Sequence, residues 1–123
     1  MTLIEAINHT DAIVPNSFPQ AEKVRWISTL DGIVKKEIID THDGAEEFTF
    51  DGYNENTLLT TELLIPAPYD DVYVRYLEMQ IYYYNGEYGR YNNATAMYNT
   101  MYSAFERYYN RTHMPKGKKN KFF

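Results

Sequence analysis

Three histidines and the carboxylates beside them are the side chains of this sequence best suited to metal binding or acid–base chemistry. His9, His42 and His113 lie far apart in the chain, and none has a second histidine four residues away, the spacing that places two ligands on one helix face. The densest group runs from Asp40 to Asp43 and falls where a helical pattern ends. We interpret it as a capped, solvated helix end in preference to a metal site.

Other side-chain sets that perform catalysis or hold ligands are missing or incomplete. The chain has no cysteine, which excludes thiolate chemistry and disulfides, and its serines lack the GxSxG context of a hydrolase nucleophile. No Walker or GxGxxG phosphate-binding motif occurs. The run Asp51, Asn54, Glu55 and Asn56 has calcium-type ligands without EF-hand spacing, which favours a polar loop. We therefore predict that the protein is not an enzyme and holds no cofactor and no metal.

The elements that position these side chains are dominated by a tyrosine-rich stretch near the C-terminus. Twelve of the 13 tyrosines lie between Pro68 and Pro115, with no proline between those two. Apolar side chains recur there at steps of three and four, as in a helix with a buried face. Two such patterns meet at Asn85 and Gly86, which suit a left-handed turn. We predict a helical hairpin or one long helix with a break.

Two further helical patterns precede this stretch. A short one begins at Thr2, and a longer one, with apolar side chains at steps of three and four, extends to about Thr41. Trp26 is the only tryptophan and is interpreted as a core anchor. The predicted core residues are Trp26, Ile27, Leu30, Val34, Leu77, Tyr98, Met101 and Phe105.

The middle of the chain, from Asp43 to Pro68, is punctuated by glycine, asparagine and aspartate. Residues 48–50 and 63–65 are short apolar runs that either pair as a β-hairpin or belong to a loop. The predicted fold is therefore mainly α, a small helical bundle built on a C-terminal helical hairpin, with a short β-hairpin or loop insertion in the middle. We assign residues 1–114 to a single helical domain and residues 115–123 to a basic flexible tail.

Charge is unevenly distributed along the chain. The net charge is -5, although Lys116, Lys118, Lys119 and Lys121 lie in the last nine residues, so residues 1–114 carry -9 by subtraction of +4. An acidic body disfavours general nucleic-acid binding, which needs cations to replace phosphate counterions. The tail is interpreted as a solubilising terminus or as a docking arm. Its terminal Phe122 and Phe123 either fold back or bury in the surface of a neighbouring subunit.

No apolar run approaches the length of about 20 residues needed to span a bilayer, and the N-terminus lacks the basic region of a signal peptide. We therefore expect synthesis in the cytoplasm and no contact with a membrane.

Tyrosine and arginine are enriched at protein interfaces. The residues predicted to form a subunit interface are Tyr83, Tyr88, Tyr102, Tyr109, Arg111, Phe122 and Phe123.

Several segments together resemble one group of proteins. They are VRWI from Val24, LLIPAPYDDVY from Leu63, YYYNGEY from Tyr82 and YNRTHMP from Tyr109. Over about residues 4–115 the chain resembles small head–tail connector (adaptor) proteins of tailed phages and prophages of Gram-positive bacteria.

The resemblance implies a structural protein of the virion neck that is assembled in the bacterial host cytoplasm. Its copies would form a homo-oligomeric ring beneath the portal protein, contact tail or head-completion proteins, and line a channel through which DNA passes without sequence-specific binding. The alternative is a small helical protein-binding regulator encoded by a phage or prophage, which would bind another protein without building a particle.

Overall fold

The computed structural model describes residues 1–116. In this part of the chain there are four α-helices, α1 (Leu3–Ile13), α2 (Gln20–Glu37), α3 (Val72–Tyr84) and α4 (Tyr88–Thr112). Short 3₁₀ helices lie at Ile39–Thr41, Ala45–Glu47 and Tyr69–Asp71. The predicted mainly α fold, a small helical bundle with a C-terminal helical hairpin, is confirmed.

Helices α3 and α4 form the hairpin and pack mainly against each other. Gly86 ends the first helix with a positive φ of 73°, a conformation that glycine adopts at little steric cost. The backbone N–H of Gly86 donates to the carbonyl of Tyr83, and that of Glu87 donates to the carbonyl of Tyr82. These bonds satisfy carbonyl groups at the end of α3 and turn the chain back, so the hairpin forms and the single broken helix does not.

The core lies where α1, α2 and α3 meet, and the C-terminal half of α4 closes it. Most of α3 is buried, in agreement with its broad apolar pattern, whereas only Ala94, Phe105 and Tyr109 of α4 are buried. Six predicted core residues are buried: Trp26, Ile27, Leu30, Val34, Leu77 and Phe105. Tyr98 and Met101 are partly buried and pack against this core.

The middle of the chain forms a loop, and the β-hairpin alternative is wrong for the residues that the structure describes. Within residues 1–116 only two isolated β-bridges occur, Thr2 with Glu62 and His42 with Pro115. Residues 63–65 do not pair with residues 48–50 because their N–H groups already donate elsewhere. The acceptors are the Met1 carbonyl, the Asp31 carboxylate and the Tyr73 hydroxyl.

The first two residues of the predicted flexible tail, Pro115 and Lys116, are paired with or hydrogen-bonded to the rest of the fold. Pro115 pairs with His42, and the N–H of Lys116 donates to the carbonyl of Thr41 at 2.8 Å. These bonds fix residues 115 and 116 beside the C-terminal end of α2. The rest of the predicted tail, residues 117–123 with Phe122 and Phe123, lies outside the described residues.

Candidate functional site

The most unusual polar group in the structure is the carboxylate of Asp31, which is 0% exposed in the middle of α2. The hydroxyl of Tyr73 on α3 donates to it at 2.5 Å, and the hydroxyl of Tyr53 in the loop donates at 2.7 Å. The N–H of Leu64 donates a third bond at 3.2 Å. One buried carboxylate thus joins α2, α3 and two points of the loop.

Burial dominates the electrostatics of this cluster. Desolvation raises the pKa of the Asp31 carboxyl, although the hydrogen bonds from Tyr73 and Tyr53 oppose the shift. Burial, reinforced by the neighbouring carboxylate, also raises the pKa of Tyr53 and that of Tyr73. Both phenols therefore stay protonated and act as donors. The polar groups of this cluster are all engaged in hydrogen bonds, and Asp31 has no access to solvent. The arrangement therefore serves to hold the loop on the helices.

A cleft of about 450 Å³ lies beside the same loop, between the first turns of α2 and residues 53–59; we call it the Tyr53 cleft. Its apolar wall includes Val24, Tyr53 and Leu59. The charged residues lining it are Glu22, Arg25 and Glu55. Its volume falls in the range of pockets that receive small molecules or peptide side chains.

A second buried polar group, His42, connects the ends of α2 and α4. Its ring nitrogens lie 2.6 Å from the carbonyl oxygen of Ile38 and 2.6 Å from Oδ1 of Asn110. The ring edge contacts Tyr109, which stacks on His113 at a centroid distance of 3.9 Å. The interpretation of this helix end as solvated is wrong for His42, which is 4% exposed, because the end of α4 covers it.

Metal binding finds no support in the described part of the chain. Within residues 1–116, no three histidine or carboxylate side chains converge as a metal-binding group. The histidines stay on separate elements, as their sequence positions predict. His42 is engaged by Ile38 and Asn110.

Two predicted interface residues, Tyr83 and Tyr88, lie on the surface at the α3–α4 turn. Together with Tyr84 they form what we call the tyrosine patch, in which each side chain is 49–61% exposed. The Tyr83 ring contacts Tyr84 at 5.3 Å and Tyr88 at 6.2 Å between centroids. Tyr84 stacks on the buried Trp26 with an angle of 7° between the rings. The patch is therefore anchored to the core through α2.

The other predicted interface residues are dispersed. Arg111 is exposed near the end of α4, far along the helix from the tyrosine patch. Tyr102 is partly buried, and burial raises its pKa to about 12. Tyr109 is buried inside the chain against Phe105 and His42, which leaves little of it for a second subunit. Phe122 and Phe123 are outside the described residues.

Sequence reasoning missed Asp31 and Tyr53, although a signal for Asp31 exists. Asp31 follows Ile27 by four residues and precedes Val34 by three, so it occupies the apolar stripe of α2. A carboxylate on a buried stripe requires hydrogen-bond donors from elsewhere in the fold. Tyrosine is a suitable donor, but nothing in the spacing identifies which tyrosines reach it.

Comparison with known proteins adds no identification: no protein-family model, no curated protein and no solved structure matches this chain. Among residues 1–116, no helix combines the length and the apolar composition that a membrane crossing requires.

Proposed function

We propose that this protein is a structural head–tail connector of a tailed phage or prophage, acting as a homo-oligomeric ring between portal and tail proteins in the virion neck. The observation that carries the proposal is the tyrosine patch, a cluster of exposed aromatic rings at the tip of the helical hairpin. The resemblance of segments 24–27, 63–73, 82–88 and 109–115 to such connectors supplies the biological context.

An exposed aromatic cluster favours protein binding for a physical reason. Aromatic side chains bury a large area at low cost in conformational entropy, and they dominate binding energy at protein interfaces. Tyr84 is held against Trp26, which itself contacts Phe18 at 5.4 Å. Because the patch rests on the buried ring of Trp26, its shape is set before a partner arrives, which lowers the entropic cost of association.

The charge of the chain supports a role beside DNA without binding it. Residues 1–116 carry a net charge of -8, obtained by removing the three lysines of residues 117–123 from the total of -5. A surface of this sign repels phosphates, so DNA in a channel lined by such subunits would slide without adhering.

The alternative proposal is a small helical regulator that binds one other protein through the same tyrosine patch. The two roles differ in stoichiometry. A connector self-associates or assembles on a portal ring, whereas a regulator remains monomeric and forms a complex with one partner.

Light scattering coupled to size-exclusion chromatography tests the proposal. We expect the wild-type chain, alone or mixed with a portal protein from the same phage or prophage genome, to give a mass that is a multiple of the monomer, with rings visible in negative-stain images. The double variant Tyr83→Ser, Tyr88→Ser should lose this assembly and keep its helical circular dichroism. Met114→Ser, which removes an exposed side chain at the other end of α4, is the matched control. A wild-type chain that stays monomeric at high concentration and with portal present would overturn the proposal.

A further inference from the structure

We propose that the Tyr53 cleft is the docking site for the basic C-terminal segment of a second copy, residues 118–123 with the sequence KKNKFF. The inference rests on the proposed function in that it describes how copies join. It specifies a contact between unlike surfaces, a cleft on one copy and a chain end on the next.

The cleft is preformed, as a docking site should be. Its apolar wall includes Val24, Leu59 and Tyr53, of which Val24 is buried. Tyr53 is fixed at two points: its hydroxyl donates to Asp31 at 2.7 Å, and its N–H donates to Oγ of Ser28 at 2.9 Å. The wall of the cleft is therefore held by α2, and little reorganisation accompanies binding.

The lining of the cleft has the charge that a basic segment requires. Arg25 donates to Glu22 at 3.0 Å, so the positive charge there is already offset. Glu55 makes no ion pair with any residue in the described part of the chain. The excess of negative charge at the cleft complements a lysine-rich peptide, and the wider surface of residues 1–116, at -8, steers it there.

The C-terminal segment carries the two features that complement the cleft, positive charge and apolar side chains. Lys118, Lys119 and Lys121 supply three positive charges, and Phe122 and Phe123 follow them directly. Two phenylalanines at the end of a charged segment gain free energy only if their rings leave water. The apolar wall of the cleft offers that burial, while the acidic lining receives the lysines.

Chain length favours a neighbouring copy over the same copy. The N–H of Lys116 bonds to Thr41, beyond the C-terminal end of α2, whereas the cleft lies at the N-terminal end of this helix. At a rise of about 1.5 Å per residue, Glu22 and Glu37 are about 22 Å apart along the axis. Residues 117–123 span at most about 25 Å when fully extended, so they could reach the cleft of their own copy only as a fully extended chain. The segment can reach the cleft of a second copy without being fully extended.

A contact of this kind is heterologous, because each copy offers a cleft at one end of α2 and a segment at the other. Successive copies joined in this way close into a ring when the rotation between them permits it. The tyrosine patch lies close to the cleft, since Tyr84 stacks on Trp26 and Arg25 is the preceding residue. The tyrosine patch and the Tyr53 cleft therefore lie at the same end of the molecule, the end that binds the C-terminal segment of the next copy.

A complementation experiment with two full-length variants tests the inference. Glu55→Lys alters the cleft and keeps the segment; Lys119→Glu with Lys121→Glu alters the segment and keeps the cleft. Each variant alone should lose the wild-type assembly, and an equimolar mixture should form a complex of two chains, since one intact segment meets one intact cleft. Glu46→Lys, an equal charge change at an exposed residue outside the cleft, should leave assembly intact. A mixture that remains monomeric, or variants that each keep the wild-type mass, would overturn the inference.

A peptide measurement separates this inference from the proposed function. A fluorescent peptide of residues 116–123 is titrated into the full-length variant Phe122→Ser, Phe123→Ser. We expect saturable binding, with Glu55→Lys raising Kd by about tenfold and Glu46→Lys changing it by less than about twofold. Binding of this kind supports the docking site even if no ring forms. Assembly that depends on Tyr83 and Tyr88 in the absence of peptide binding supports the connector and overturns the docking site.

Discussion

Asp31 and Tyr73 lie on different helices, 42 positions apart, and the Tyr73 hydroxyl donates a 2.5 Å hydrogen bond to the Asp31 carboxylate. The same hydroxyl accepts a bond of 2.8 Å from the N–H of Ile65. One phenol therefore links α2, α3 and the end of the loop. Because all these groups are buried, the loss of any member leaves the others without a partner in an apolar environment.

Tyr73→Phe should therefore destabilise the fold strongly. The variant keeps the ring, so no large cavity forms, but Asp31 loses its closest donor and the N–H of Ile65 loses its acceptor. We expect the free energy of unfolding to fall by about 2–4 kcal/mol, the range for a bond to a buried charged group together with an orphaned amide. Urea unfolding followed by circular dichroism measures it.

The control for this measurement is Tyr88→Phe. Tyr88 is exposed and makes no side-chain hydrogen bond within residues 1–116, so its hydroxyl stays in water in either state. We expect a change smaller than about 0.5 kcal/mol. Equal effects of the two substitutions would mean that the buried cluster contributes nothing beyond ordinary packing.

The Asp31 carboxyl predicts a pH dependence of stability. Desolvation raises its pKa in the folded state above 3.8, the ordinary value of an aspartate carboxyl. The folded protein then binds more protons than the unfolded chain between these two values, so stability from this group is fully present below the unfolded pKa and is lost as pH rises through the folded pKa. We expect the free energy of unfolding of the wild type, minus that of Asp31→Asn, to decline over this interval, by at most about 1.4 kcal/mol per pH unit.

Urea unfolding of both proteins from about pH 4 to about pH 8 provides the comparison. The subtraction removes contributions that the two proteins share, such as those of Glu5 and Asp11, whose pKa values are lowered in the folded state. A difference that increases with pH would show that the three hydrogen bonds outweigh desolvation at Asp31, which is the opposite of the expected sign.

The fold was predictable from the sequence where local rules and burial agree. The spacing of apolar residues identifies α2 and α3, and Asn85 with Gly86 identifies the turn between α3 and α4, because a left-handed glycine there leaves few other conformations. The middle segment was less predictable. Residues 63–65 have strand-like composition, but their N–H groups are claimed by Asp31, Tyr73 and Met1, which are distant in sequence.

Which of the predicted interface tyrosines lie on the surface was only partly predictable from the sequence. The tyrosine-rich pattern predicts an interface on the hairpin; Tyr83 and Tyr88 are exposed, whereas Tyr109, at a similar position in the pattern, is buried. The difference arises because the end of α4 packs over His42, a contact across 68 residues that no local spacing encodes. The Tyr53 cleft depends likewise on where the loop crosses α2.

The two halves of α4 should contribute unequally to stability. Phe105 is 1% exposed and contacts Tyr69, Tyr108 and Tyr109, so Phe105→Ala should lower the free energy of unfolding by about 3–5 kcal/mol. Met97, two turns earlier on the same helix, is 45% exposed, and Met97→Ala should cost less than about 1 kcal/mol. Thermal and urea unfolding of both variants test this. Comparable losses would indicate that the N-terminal half of α4 is buried more deeply than the fold shows.

The ion pair between α1 and α2 should respond asymmetrically to removal of its two partners. Nζ of Lys23 donates to Oδ1 of Asp11 at 2.7 Å, and the Lys23 side chain is 4% exposed whereas that of Asp11 is 41% exposed. Asp11→Ala leaves the buried ammonium group of Lys23 without an ion-pair partner, which should lower the free energy of unfolding by about 3 kcal/mol. Lys23→Met returns Asp11 to water and fills the same space with an apolar chain, so we expect a loss of about 1 kcal/mol or less.

The contribution of this ion pair to stability should also depend on pH. Partial burial opposes ionisation of Asp11, but hydrogen bonds from Lys23 and Asn16 outweigh it and lower its pKa. A lowered pKa contributes stability above the unfolded value, and that stability is lost as pH falls through the folded pKa. The free energy of unfolding of the wild type relative to Lys23→Met should therefore decrease on acidification, opposite in direction to the Asp31 effect. If Lys23→Met proves more damaging than Asp11→Ala, the ammonium group reaches water, and the pair acts as an ordinary surface contact.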